Sequence, residues 1–219
     1  LKNMKTTKLF VLTAVLSLIA TTAINADDTR YLEAMQKNIQ SVYTAKSVTE
    51  LQGVVNALER IAAAEKVKWE PYYYTSFAYI RMSNIEQESA KKDMYLDQAN
   101  TSIEKAAAIN ANESEIVALV GFIHMMRVAI DPATRGAQYS SMAMQAFGKA
   151  TALNPENPRA LALLAQMQYG TAKFFGSPVT EACGTLVAAL QKFDTYRSDN
   201  PLAPQWGREM ALGMKKECN

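Results

Sequence analysis

The stretch AMQAFGKATALNPENPRALALLAQ, residues 143–166, predicts two helices joined by a proline-marked turn. One helical stripe in it carries three apolar residues: Ala143, Phe147 and Ala150. Pro155 ends that helix, and Pro158 can begin the next one, because proline fits the first helical turn, where its missing N–H would be unpaired anyway. The stretch therefore indicates the back helix of one helical hairpin followed by the front helix of the next.

The same stripe recurs four times along the chain. Each copy has its second residue four positions after the first and its third residue three positions later: Val54/Leu58/Ile61, Ala99/Ile103/Ala106, Ala143/Phe147/Ala150 and Ala182/Leu186/Ala189. The small residue of the next front helix, Ser76, Gly121 or Ala165, follows at a constant distance of fifteen residues. The distance from that small residue to the following stripe varies from 17 to 23 residues. This pattern predicts stacked helical repeats with loops of different length at one edge.

These residues resemble a known repeat family. The spacing A-x3-F-x2-A-x4-P, which ends at Pro155, resembles the tetratricopeptide repeat (TPR). Six further segments resemble small exported TPR-like proteins of Bacteroidota: LERIA at 58–62, WEPYYY at 69–74, the loop at 131–136, NPR at 157–159, FG at 175–176 and PQWG at 204–207. One departure is Ser177-Pro178, where those proteins tend to carry glycines. The resemblance implies an all-α, right-handed superhelical array of antiparallel helix pairs with a C-terminal capping helix, and it brings no assigned activity with it.

We expect one repeat domain over residues 27–219. Its helix pairs are predicted at about 28–66, 70–110, 114–154 and 158–194, with a cap at 204–217. Ser47 and Glu50 have the spacing of a capping box before the second helix. Gly121 and Gly148 fall inside predicted helices, where glycine costs about 1 kcal/mol relative to alanine, so both are expected at close helix contacts.

Residues 1–26 have the composition of a cleaved secretory signal. Lys5 and Lys8 precede an apolar run from Leu9 to Ala20, and small residues follow it up to Ala26. An uncleaved anchor is the alternative, but the run is shorter than the roughly 20 residues that span a bilayer. Three of the 23 basic residues lie before the predicted cleavage site, so the mature chain has 20 basic residues and 21 acidic ones. This balance gives no basic surface for nucleic acid. The predicted signal favours a periplasmic or secreted protein.

The front helices of such arrays line a concave surface, which is where we expect a partner to bind. The candidate contacts are long or aromatic side chains: Tyr73, Tyr74, Arg81, Met125, Arg127, Tyr169 and Lys173. Tyr72 and Tyr79 are expected to pack between helices instead. The favoured hypothesis is a non-enzymatic periplasmic scaffold for a peptide or protein of the envelope. The alternative is a small-ligand-binding accessory protein, with the aromatic front helix at 72–79 closing over an enclosed pocket.

The sequence offers little for catalysis or for cofactors. His124 is the single histidine. A catalytic pair of Cys183 and His124 would lack a third group to orient the histidine and a signature for an oxyanion hole. No Cys-x-x-Cys or glycine-rich phosphate loop occurs, so no metal or cofactor is expected. Cys183 and Cys218 either pair in an oxidising compartment or remain a small buried residue and a terminal thiol. The sequence alone leaves both possibilities open.

Overall fold

The computed structural model describes residues 26–218, and these fold into nine helices without a strand. The helices are α1 (Ala26–Thr44), α2 (Val48–Ala64), α3 (Glu70–Ile85), α4 (Ser89–Ile109), α5 (Ser114–Ile130), α6 (Pro132–Leu153), α7 (Pro158–Phe174), α8 (Thr180–Thr195) and α9 (Arg208–Lys215). Consecutive helices pack in pairs, and the front helix of each following pair packs on both helices of the pair before it, mainly on its back helix. The predicted fold class is confirmed. The predicted signal, apart from Ala26 at the start of α1, lies outside the described residues.

Side-chain caps or prolines begin five of the described helices, α2, α3, α5, α6 and α7. Ser47 accepts a hydrogen bond from the Glu50 N–H at 3.2 Å, while the Glu50 carboxylate accepts from the Lys46 N–H at 2.8 Å. Asn157 caps α7 by accepting from two backbone N–H groups ahead of it. The last helix begins at residue 208, later than predicted. Gly207, with φ of +105°, makes a turn there that L side chains rarely adopt.

The four predicted stripes form the spine of the core. All twelve residues are buried except Ile61, which is half-buried. Gly121 lets α5 approach α6 so closely that a Cβ at this position would lie 2.5 Å from the Phe147 ring. Gly148 is exposed and has no atom within 4 Å of a Cβ position, so the close contact predicted for it is wrong. Its place on the helix faces solvent instead of a neighbour.

A disulfide joins the start of α8 to the chain end beyond α9. Cys183 and Cys218 are bonded, with their Cα atoms 5.7 Å apart and their positions 35 apart in the sequence. The bond closes the last part of the chain, which includes the capping helix, into a loop. The choice that the sequence leaves open is therefore made by the fold. None of the helices between residues 26 and 218 is both long enough and apolar enough to cross a bilayer.

The two helical glycines offer a matched pair of substitutions. We expect Gly121→Ala to lower the free energy of unfolding by about 1–3 kcal/mol, because the new methyl group overlaps the Phe147 ring. Gly148→Ala should raise it by about 0.5–1 kcal/mol, because alanine restricts the unfolded chain and meets nothing in the folded one. Denaturation with guanidinium measures both, and equal effects in the two variants would contradict the packing described here.

The disulfide should contribute measurably to stability. Replacing Cys183 and Cys218 together with serine should cost about 2–4 kcal/mol, since the crosslink restricts the unfolded chain. Guanidinium denaturation with and without dithiothreitol measures the effect. The reductant should weaken the unmodified protein and leave the double variant unchanged. A reductant effect of the same size in both would show that the bond is not its cause.

Candidate binding surfaces

The inner face of the array is covered by the chain's own residues 200–207, here called the C-terminal segment. Leu202 and Pro204 of this segment are buried. Four hydrogen bonds fasten it to the front helices: Asn200 Nδ2 to Glu70 Oε1 at 3.1 Å, Tyr74 Oη to the Leu202 carbonyl at 2.6 Å, the Gln205 N–H to Tyr43 Oη at 3.1 Å and Trp206 Nε1 to Tyr73 Oη at 3.0 Å. The predicted concave groove is thus filled over α1, α3 and α5.

Trp206 is the aromatic anchor of the C-terminal segment. Its indole stacks on Phe77 of α3 with ring centroids 4.8 Å apart and an interplanar angle of 17°. It also stacks on Phe122 of α5, at 5.6 Å and 22°. Stacked aromatic pairs contribute about 0.5–1.5 kcal/mol beyond the area they bury. The anchor therefore joins two front helices to the end of the chain.

A buried ion pair lies beneath the same segment. The Arg159 guanidinium donates to both Glu115 oxygens at 2.7–2.9 Å, and both side chains are almost fully buried. Burial raises the pKa of Glu115, and attraction to Arg159 opposes that rise. Burial alone would lower the pKa of Arg159, but Glu115 raises it above its usual value. Arg159 also lies 4.9 Å from the Tyr196 ring centroid, and its Cγ lies 3.1 Å from where a Cβ on Gly207 would stand.

Neither Arg159 nor Glu115 was among the residues predicted to matter from the sequence. One available signal is the position of Arg159 in the first turn of α7, where the helix dipole disfavours a cation. An arginine there implies a carboxylate nearby. Its partner Glu115 occupies the equivalent turn of α5, where the dipole favours an anion, so nothing in the sequence marks it.

Three of the seven predicted contact residues point into the fold. Tyr73 and Tyr74 are fully buried, and burial raises the pKa of both phenols. Arg81 donates to the carbonyl oxygens of Val42 and Ala45, the latter at 2.9 Å, and so ties α3 to the end of α1. A partner cannot reach the two tyrosines, because the C-terminal segment and the neighbouring helices cover them. This corrects the sequence-based expectation for these three positions.

The other four predicted contacts lie near the loop edge of α5 and α7, and the structure does not gather them into one site. Met125 is half-buried. Arg127 pairs with Asp97 at 2.6 Å, and Tyr169 donates to the Glu217 carbonyl oxygen at 3.4 Å. Lys173 is exposed, 6.0 Å from the Tyr169 ring centroid. Beside Lys173 stand two aromatic residues that were not predicted as contacts, Phe174 and Phe175, which are 70% and 72% exposed.

His124 has a packing role. Its ring stacks on Tyr139 with centroids 5.9 Å apart, and burial together with Arg127 lowers its pKa. Its Nδ1 atom is enclosed and has no hydrogen-bond partner. Cys183 is held in its disulfide, so it cannot act as a nucleophile beside this histidine. Within residues 26–218, no three His, Cys, Asp or Glu side chains are grouped as metal ligands.

Clefts that open on the surface of the described residues include one between α1 and α2 and one beside α3. The larger has a volume of about 520 Å³ and lies between α1 and α2. Its apolar lining is Tyr31, Ala34, Ala57, Ile61 and Ala64, and its polar lining is Arg30, Asn38, Arg60 and Glu65. The smaller, of about 200 Å³, lies beside Tyr72 and Lys105. Both are open to solvent, and the smaller has Tyr72 and Thr75 of α3 in its lining, whereas the small-ligand hypothesis predicts an enclosed pocket at residues 72–79.

Comparison with known proteins gives one informative solved structure. No protein-family model matches the sequence, and no curated protein sequence matches it. The HusA haemophore from Porphyromonas gingivalis has a similar structure, with a TM-score of 0.76 and 25% sequence identity over 86% of this chain and 92% of the haemophore. A thermophilic TPR protein from Thermus thermophilus aligns at a TM-score of 0.48 and 17% identity over 94% of this chain and 95% of its own. The resemblance to small Bacteroidota proteins of TPR-like fold is confirmed.

The stacking of Trp206 should hold the C-terminal segment in place. Trp206→Ala removes its contacts with Phe77 and Phe122, and we expect a loss of about 2–4 kcal/mol in the free energy of unfolding. Trp206→Phe keeps a stacking ring and loses only the hydrogen bond to Tyr73, so its loss should be smaller. Guanidinium denaturation measures both variants.

Limited trypsin digestion gives a second measure of the same contact. Trp206→Ala should expose the bonds after Arg197 and Arg208 and speed their cleavage, because both flank the released segment. Trp206→Phe serves as the control. Cleavage at the unmodified rate in the alanine variant would show that the segment is held by other contacts.

Proposed function

We propose that this protein is an exported, non-enzymatic carrier of a planar apolar ligand of the porphyrin class. The observation that carries the proposal is its likeness to a haemophore over 86% of its own length. A haemophore is by its name a carrier of haem, and the alignment takes in 92% of that protein. Because the alignment covers most of both chains, it supports a shared role for the whole domain and not only a shared type of repeat.

The filled inner face supports a small ligand over a peptide. A peptide scaffold of the predicted kind uses an open concave groove, but Leu202, Pro204 and Trp206 already occupy that face. An incoming peptide would first have to displace four hydrogen bonds and two stacking contacts. The alternative that the sequence raised, a small-ligand-binding accessory protein, therefore becomes the favoured function, with a different site from the one it predicted.

Export is part of the proposal. The composition of residues 1–26 is that of a secretory signal, and disulfides such as Cys183–Cys218 persist mainly in oxidising compartments. These observations support a periplasmic or secreted location. The proposal includes no catalysis, since the single histidine packs on Tyr139 and Cys183, the nucleophile considered as its partner, is held in a disulfide.

A protein partner at the loop edge is a second candidate role, favoured by the exposed pair Phe174 and Phe175. Their rings meet edge to face at 5.1 Å, and each is more than two-thirds exposed. Large exposed apolar side chains side by side often mark a contact surface. Lys173 precedes them and Tyr169 lies on the same helix, α7, while Met125 and Arg127 lie on α5. These four residues predicted from the sequence therefore stay candidates for contacts with a partner at this edge.

Titration with porphyrins tests the proposed function. The protein from Asp27 onward should bind ferric haem saturably at one equivalent, with a dissociation constant of about 1 µM or below, the range expected of a carrier. Absorbance in the Soret region and quenching of tryptophan emission follow the binding. Titration of the denatured chain controls for non-specific adsorption of haem.

Two results would contradict the carrier function. One is a signal that rises without saturation, as adsorption of an apolar ligand would give. The other is saturable binding that is equally strong in the denatured chain, which would show that the fold is not needed.

A further inference from the structure

We propose that the cleft between α1 and α2 is the ligand site, and that it takes a flat macrocycle bearing carboxylate groups. This inference rests on the proposed function and locates its binding site on the molecule. The cleft has a volume of about 520 Å³, within the range of about 300–1,000 Å³ that is usual for small-molecule sites. It is a ready-made concavity, so a ligand can enter without displacing the C-terminal segment.

The walls of the cleft suit a flat apolar body. Ala34 of α1 faces Ala57 and Ala64 of α2, and Ile61 and Tyr31 complete the apolar lining. Alanine side chains leave the two helix backbones close to the surface of the cleft and give it smooth sides. A planar ring system can lie across both helices and gain contact with each of them.

Two arginines supply charge of the right sign. Arg30 lines the cleft from α1 and Arg60 lines it from α2, and Asn38 adds a neutral donor on the α1 side. Arginine recognises carboxylates through paired N–H donors, and this geometry sets orientation as well as affinity. Glu65 is the acidic residue in the lining.

The position of the cleft in the array explains why it is open. Among the described helices, α1 contacts only α2 and α3, and α2 contacts only α1 and α3. Among the described residues, no further helix pair packs against the outer side of this first pair. The crevice between α1 and α2 is open within this part of the chain.

The lining also indicates how the ligand is held. It contains no histidine, cysteine or methionine, the usual axial ligands of haem iron besides tyrosine. Its one tyrosine, Tyr31, donates its hydroxyl to Glu70 Oε2 at 3.3 Å, and burial raises the pKa of that phenol. The site thus recognises the macrocycle and its carboxylates, and metal-free protoporphyrin should bind within about threefold of haem.

Two variants with matched controls test the site. Ala57→Trp fills the cleft and Arg60→Glu reverses one of its charges, and each should weaken protoporphyrin and haem binding at least about tenfold. Ala108→Trp on α4 and Arg197→Glu in the exposed stretch after α8 make the same changes away from the cleft and should alter affinity less than about twofold. Far-ultraviolet circular dichroism confirms that all four variants are folded.

The outcomes separate the site from the function. If the unmodified protein binds neither porphyrin, the carrier function fails, and this inference fails with it. If it binds and the cleft variants bind as tightly as their controls, the function stands and the site is wrong. Light scattering detects another occupant: a dimer of the unmodified protein that the cleft variants dissociate, with porphyrin affinity unchanged, would show that a second copy covers the cleft.

Discussion

The Arg159–Glu115 ion pair links the parts of the fold that the sequence keeps far apart. Two charges out of water carry a desolvation cost of several kcal/mol each, which only close geometry and further hydrogen bonds offset. Here Arg159 binds both oxygens of Glu115, and the neighbouring Asn157 Nδ2 donates to Ser114 Oγ at 2.9 Å. The starts of α5 and α7 are thereby held in register. Because Tyr196 and Gly207 pack on Arg159, the path of the chain beyond α8 depends on the same pair.

That path decides which surfaces remain for binding. The C-terminal segment crosses the front helices, and Trp206 stacks on two of them before α9 returns toward α8, where Cys218 bonds Cys183. The segment completes the core of the array in the way that a ligand or a further repeat otherwise would. Among the described residues, the surfaces that stay open include the α1–α2 cleft and the surface around Phe174 and Phe175.

Local pattern was sufficient for the helices and for most of the core. All stripe residues except the half-buried Ile61 pack inward, since a helix with apolar residues at spacings of four and three buries one face. Pattern was insufficient at Gly121 and Gly148, which read alike in the sequence. One touches Phe147, and the other faces solvent. The partner contacts predicted at Tyr73 and Tyr74 were wrong for a related reason. Both residues lie on a front helix as expected, but residues about 130 positions later in the chain cover them.

The elements of this protein follow from its sequence alone: all-α composition, four helix pairs, their approximate bounds and the stripe that packs them, because each depends on residues within one or two turns. The folded chain was needed for the pairing of the two cysteines, the Arg159–Glu115 contact, the covering of the inner face and the open cleft on the first pair. Each of these depends on where a distant segment comes to lie. Helical periodicity carries no information about such long-range contacts, so a surface that looks free in the sequence can be buried by the chain's own end.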